Sequence, residues 1–156
     1  GSWEKQNYRW PVLDIYQTIK KKEPQCQVGI NWSIGHPDNP DKTAYPKDQR
    51  EGFPIRYFPS DFRLGDPYLP AENDPKLFSH GGKLYYMPWE STVCISKKWF
   101  YNTKDTQFKS VDELTSLYQK ATRDDNILIL NCPPDRNGQL RQQDIDTLMQ
   151  LKEKLK

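Results

Sequence analysis

Apolar residues recur at helical spacing in three places along the chain and bunch into short runs in three others. Val12, Ile15, Tyr16 and Ile19 lie three and four apart, Pro11 suits a first turn, and Pro24 follows the basic run Lys20, Lys21 and Lys22. That pattern predicts a helix opening near Trp10 whose lysines form a solvated last turn and favour the helix dipole. Ser110, Val111, Asp112 and Glu113 match a capping box, in which the serine accepts from one backbone N–H and the glutamate reaches back to another. Leu114, Leu117, Tyr118 and Ala121 continue it as a second helix, and Ile145, Leu148, Leu151 and Leu155 mark a third. The short runs at residues 26–31, 91–96 and 126–131 predict strands. The last of these, NILILN, is apolar on both faces, which predicts an interior parallel strand.

Residues 35–88 break the pattern. Nine of the 13 prolines fall there among scattered aromatics, with no sustained period of 2 or 3.6. The segment reads as a long loop with one short strand at about residues 53–58. Connections in compact domains usually run about 2–6 residues, so a loop this long points to a functional insertion; its aromatic content argues against disorder. Helix, strand, insertion, strand, helix, strand, helix is the order of a parallel α/β fold. Strands that look buried on both faces need more covering elements than these 156 residues supply. The prediction is therefore the C-terminal half of a (β/α)8-like (TIM) barrel, with the missing strands encoded before Gly1.

Composition narrows the function. The balance of 23 Lys and Arg against 21 Asp and Glu leaves a net charge of +2, too little to draw the chain onto nucleic acid. No apolar run approaches the roughly 18 residues of a spanning helix, so no membrane insertion is expected. Cys26, Cys94 and Cys132 are odd in number and widely separated, which predicts buried free thiols, no disulfide framework and no metal site. His36 and His80 stand alone in the insertion and read as solvated loop side chains. Set against this ordinary charge are 5 Trp, 9 Tyr and 6 Phe, a stock of aromatics suited to ordered loops.

In a barrel of this kind chemistry sits at the C-terminal ends of strands and in the loops that follow. That rule selects Asn31 and Trp32, the stretch 56–73, the stretch 97–101, and the stretch 131–135. Two of these regions carry recognisable motifs. Pro88-Trp89-Glu90-Ser91-Thr92-Val93-Cys94-Ile95-Ser96, ending in Lys98-Trp99-Phe100-Tyr101-Asn102, resembles the WE(T/S)xxxI…WGYN block of family 29 glycoside hydrolases, the α-L-fucosidases. Asn126-Ile127-Leu128-Ile129-Leu130-Asn131-Cys132-Pro133-Pro134-Asp135-Arg136-Asn137-Gly138 is similar to the NLLLNxxPxxxG stretch that closes the catalytic barrel in that family.

The resemblance implies one catalytic barrel domain, of which residues 1–156 are the C-terminal part and 35–88 an active-site insertion. It implies retaining hydrolysis of terminal α-L-fucose from a fucosylated glycan, without a cofactor. Residues 1–24 read like the stretch that follows the family's nucleophilic aspartate, so the nucleophile and the N-terminal half of the barrel would precede this chain, and the chain alone would be inactive. A periplasmic, secreted or lysosomal protein would fit the family. Gly65-Asp66-Pro67-Tyr68-Leu69-Pro70-Ala71-Glu72 is similar to the segment that carries the family's acid/base, which points to Glu72, with Asp66 and Glu90 as rivals. Trp99 occupies the place of the aromatic that meets the deoxy sugar's methyl group. Arg63, or equally Arg56, would be the arginine that binds the ring, although in the family that arginine often closely follows an Asn-Asp after the strand, whereas here Asn31 is followed by Trp32. The competing reading is a non-catalytic carbohydrate-binding module using Trp32, Trp89 and Trp99 as platforms; a nucleic-acid binder is disfavoured by charge.

Overall fold

The computed structural model describes residues 10–156. Four strands form one parallel sheet: β1 (Gly29–Asn31), β4 (Phe62–Leu64), β7 (Trp89–Cys94) and β8 (Ile127–Asn131), adjacent in the order in which they occur along the chain. Register runs Asn31 beside Leu64, Leu64 beside Glu90, and Glu90 beside Ile127, so these four lie in one row across the sheet. Helix α1 (Val12–Lys22) precedes β1, α2 (Val111–Ala121) bridges β7 to β8, and α3 (Gln142–Lys154) follows β8. Among the described residues no helix is long and apolar enough to cross a membrane.

The segment read as one long loop is two connections, each folded around an antiparallel hairpin. Between β1 and β4 stand β2 (Gly35–His36) and β3 (Asn39–Thr43); between β4 and β7 stand β5 (Leu77–His80) and β6 (Lys83–Tyr86). Neither crossover contains an α-helix. Their apolar residues gather in a cluster of Ile34, Ala44, Ile55, Phe78 and Met87, with Phe53, Phe58 and Tyr85 packed around it. The strand expected at residues 53–58 does not form. Pro54 and Pro59 lack the N–H a ladder needs, and Pro54 and Ile55 make only single bridges to Ser79 and Ile34. The strand lies at Phe62–Leu64, with an arginine at its centre.

Helices α2 and α3 close a second core of Ile95, Leu114 and Leu151, into which Leu130 and Cys132 project. Strand alternation then assigns the opposite face to Asn31, Leu64, Glu90, Thr92, Cys94, Ile129 and Asn131. Ile129 on that face is 45% exposed, and β8 is the last strand of the sheet among the described residues. The strand expected at 91–96 forms two residues earlier, at Trp89–Cys94.

Two further expectations are corrected. Cys26 is exposed, and Cys94 and Cys132 are only half-buried. The lysine run is not uniformly solvated: Lys20 pairs with Asp61 at 2.7 Å and donates to the Cys26 carbonyl at 2.6 Å. Asp61 also accepts from Tyr16 Oη at 2.6 Å and Val28 N at 2.8 Å, so one carboxylate fastens α1 to the start of β1 and β4.

Candidate active site

Parallel pairing brings the C-terminal ends of β1 and β4 to one level, at Asn31 and Leu64. Trp32 follows β1 with its N–H donated to the Leu64 carbonyl at 2.9 Å and φ at 58°, a left-handed conformation that a bulky residue holds only when its surroundings enforce it. Gly65 makes room for this arrangement. A Cβ there would lie 2.7 Å from Trp89 Cη2 and 3.1 Å from Trp32 Cζ3. The chain then turns sharply, Tyr68 N donating to the Gly65 carbonyl at 2.8 Å, with Asp66 at the corner.

Asp66 is half-buried, and its Oδ1 is enclosed with no hydrogen-bond partner among the described residues. Burial alone pushes its carboxyl above the ordinary aspartate range, because the charged form has lost water and gained no donor. A carboxyl that resists ionisation is the form that can give up a proton. Asn31 Oδ1, at the end of β1, is likewise buried without a partner.

The structure does not bring Glu72 to Trp99. Glu72 is exposed, and the neighbouring Ala71 carbonyl accepts from Arg123 Nη2 at 2.7 Å, in the turn that precedes β8. Trp99 follows β7, and its carbonyl accepts from Asn131 Nδ2 at 2.8 Å, at the far end of β8. Ala71 is thus anchored just before β8 and Trp99 at its end, while Asp66 follows Leu64, which lies in the row of Glu90 and Ile127 at the start of β8. Glu90 sits beside Leu64 on the face opposite the helices, half-buried, with Oε1 accepting from Thr92 Oγ1 at 3.0 Å. Trp99 is 41% exposed and begins an aromatic run with Phe100 and Tyr101.

Arg63 is 1% exposed, and its guanidinium is committed within the protein. Nε donates to the Met87 carbonyl at 3.0 Å, Nη1 to Gln49 Oε1 at 3.0 Å, and Nη2 to Asp74 Oδ1 at 2.7 Å and to the Pro75 carbonyl. The rings of Phe78 and Trp89 flank it, at 4.9 and 5.1 Å. Arg56 is placed otherwise. Its Nη1 reaches the Trp32 carbonyl at 3.5 Å and Thr43 Oγ1, the guanidinium lies 4.8 Å from the Tyr57 ring, and it lines an open groove of about 460 Å³ with Trp10, Asp41 and Phe58. His80 stacks on Phe58 at 4.1 Å, and His36 lies 3.5 Å from Asp38.

Residue-by-residue reading of the sequence missed the partners of Trp32. Tyr45, just after β3, and Tyr68, just after Asp66, both meet its ring edge-on, at 5.5 and 5.8 Å. No spacing rule links residues 32, 45 and 68, so only the folded crossover reveals the cluster. Among the described residues no group of three or more His, Cys, Asp or Glu is arranged to hold a metal ion.

The α-L-fucosidase family profile matches residues 1–156, and the chain belongs to that family. The fold agrees. α-L-Fucosidase isoenzyme 1 from Paenibacillus thiaminolyticus superposes with a TM-score of 0.59 at 17% identity, covering 91% of this chain and 29% of that one. The α-fucosidase of Thermotoga maritima superposes with a TM-score of 0.54 at 20% identity, covering 90% and 24%. The chain thus spans about a quarter to a third of the length of these solved fucosidases. A comparison with curated protein sequences finds no significant match.

Proposed function

We propose that this chain is the C-terminal part of a (β/α)8-like barrel and that the full-length protein is a retaining exo-α-L-fucosidase acting on fucosylated glycans. Asp66 serves as its acid/base. Asp66 carries this reading: its Oδ1 is enclosed without a hydrogen-bond partner among the described residues, burial raises its pKa, and it stands at the strand end where such chemistry belongs. A retaining mechanism needs a second carboxylate about 5–5.5 Å away to attack the anomeric carbon. That group would come from a strand before α1, outside these residues, and the share of the solved fucosidases that the chain spans supports such a division. Consecutive parallel strands with an unpaired edge at β1 and at β8 suit a barrel closed by further strands.

The neighbouring residues take roles by placement. Trp99 offers an apolar ring after the end of β7 for the deoxy sugar's methyl group, and Arg56, which lines the groove, is better placed than the buried Arg63 to bind a sugar hydroxyl. Arg63 and Asp74 hold the turn that carries Asp66. The isolated 156 residues, lacking the nucleophile, would show no turnover.

The test is hydrolysis of an aryl α-L-fucoside by the full-length protein, with the first-formed anomer read by NMR. The α-anomer of fucose is expected. Asp66→Ala should lose activity on a substrate with a poor leaving group, and on an activated aryl fucoside, where breakdown of the glycosyl-enzyme limits the rate, should recover turnover with azide, giving the fucosyl azide of retained configuration. Full activity in Asp66→Ala, with azide-rescued loss in Glu72→Ala, would move the role to Glu72.

A further inference from the structure

We propose that Tyr45 and Tyr68, propped on Trp32, form the subsite for the sugar on the leaving-group side of the scissile bond, a hexopyranose that stacks its C–H face on these rings. The inference rests on the assignment of Asp66 as the acid. An acid/base donates to the glycosidic oxygen that departs with the leaving sugar, so that sugar must lie beside the acid's own loop. Tyr68 is two residues from Asp66, folded back beside it by the hydrogen bond that closes residues 65–68.

The rings form a cluster. Trp32 meets Tyr45 at 71° and Tyr68 at 72°, and the two tyrosines meet each other at 6.3 Å and 69°. Each pair packs edge to face, so the surface offered to a pyranose is the outward side of the two tyrosines and not a space between the rings. Tyr45 is 51% exposed and Tyr68 46% exposed, while Trp32 is half-buried behind them. Two large rings thus keep faces in water at the strand ends although a buried cluster lies close by.

The support beneath the tyrosines is fixed from several directions. Trp32 holds a left-handed backbone that a bulky side chain adopts only under constraint. Its carbonyl is held by Arg56 and its N–H by Leu64 O, and Gly65 leaves space for its ring beside Trp89. The Trp89 indole in turn donates to the Tyr68 carbonyl at 3.1 Å, which sets the height of the second tyrosine. A strained residue braced from both sides, beside a shielded carboxyl, is an arrangement expected where a ligand must be positioned.

The experiment compares two substrates of the full-length protein. A fucosyl disaccharide places a pyranose on the tyrosine rings, whereas α-L-fucosyl fluoride has no leaving sugar. Tyr45→Ala and Tyr68→Ala should each lower the ratio of kcat/KM for the disaccharide to that for the fluoride several-fold, and the double variant about tenfold or more, chiefly through the KM of the disaccharide. Tyr45→Phe and Tyr68→Phe, which keep the ring, should restore the ratio. Tyr45→Leu keeps apolar bulk against Trp32 without an aromatic face and should resemble the alanine variant, which guards against loss of packing as the cause. A ratio that does not change, because both substrates suffer equally or neither suffers, would overturn the subsite while leaving the fucosidase reading intact. Absence of wild-type turnover on both substrates would overturn the two together.

Discussion

Removing the Asp74 carboxylate should cost far more than its position in a loop suggests. Its side chain is 5% exposed and that of Arg63 is 1% exposed, so the pair is shielded from water. Asp74 Oδ1 takes Arg63 Nη2 at 2.7 Å; Oδ2 takes Lys76 Nζ at 2.8 Å and Asn126 Nδ2 at 2.6 Å. In Asp74→Ala the guanidinium stays buried with only neutral acceptors, the Gln49 amide and the Met87 and Pro75 carbonyls. Breaking a buried pair from one side costs about 3–5 kcal/mol, a large part of a typical folding margin of about 5–15 kcal/mol. At roughly 2–4 °C per kcal/mol for a domain of this size or somewhat larger, Tm should fall by about 6–20 °C.

Scanning fluorimetry and urea titration of the full-length protein would measure this. The double variant Arg63→Met, Asp74→Leu leaves no stranded charge, so it should cost at least about 1 kcal/mol less than the two single changes added together. The pH dependence supplies a third reading. Burial pushes the Asp74 carboxyl up, but the hydrogen bonds from Lys76, Asn126 and Arg63 outweigh it and hold the pKa below the ordinary value. Its contribution is therefore complete above the unfolded-state pKa of about 3.9 and is lost as pH falls through the lower folded value. The stability gap between wild type and Asp74→Ala should hold at neutral pH and close only in acid. A gap under about 1 kcal/mol at pH 7, or strictly additive single changes, would refute the clamp and return Arg63 to consideration as a ligand-binding group.

Three further outcomes are expected. Gly65→Ala places a Cβ 2.7 Å from the buried Trp89 indole and should lower stability by about 1–3 kcal/mol in a urea titration; an unchanged midpoint would show that the rings can move aside. Cys26 is exposed, whereas burial, with Asp144 adding to it, raises the Cys132 thiol, so peptide mapping after brief iodoacetamide treatment at pH 8 should find Cys26 labelled about tenfold faster. Comparable rates at the two sites would contradict the burial assigned to Cys132. Ser110→Ala removes the acceptor for Glu113 N and should cost about 1 kcal/mol by thermal denaturation, with no loss expected only if the cap is not formed in solution.

Local features of the chain were enough to specify all three helices. The capping box at Ser110 and Glu113 forms, and the apolar periodicity locates α1, α2 and α3, although α3 begins three residues before its first apolar position, Ile145. These signals are legible because helical hydrogen bonds and caps join residues three and four apart. The strands β7 and β8, the parallel α/β class and the family were also readable, through β-branched runs and the two motifs around Trp89 and Asn131. What the sequence could not disclose was β4, since a strand whose centre is an arginine looks polar until Asp74, Gln49 and the Met87 carbonyl are gathered around it. The same holds for the carboxylates. Asp66 and Glu72 look alike as loop residues, and only tertiary structure encloses one and leaves the other in water, because solvation depends on what packs nearby and not on sequence neighbours. The cluster of Trp32, Tyr45 and Tyr68 is of this second kind, assembled by two crossovers whose ends meet only when β1 pairs with β4.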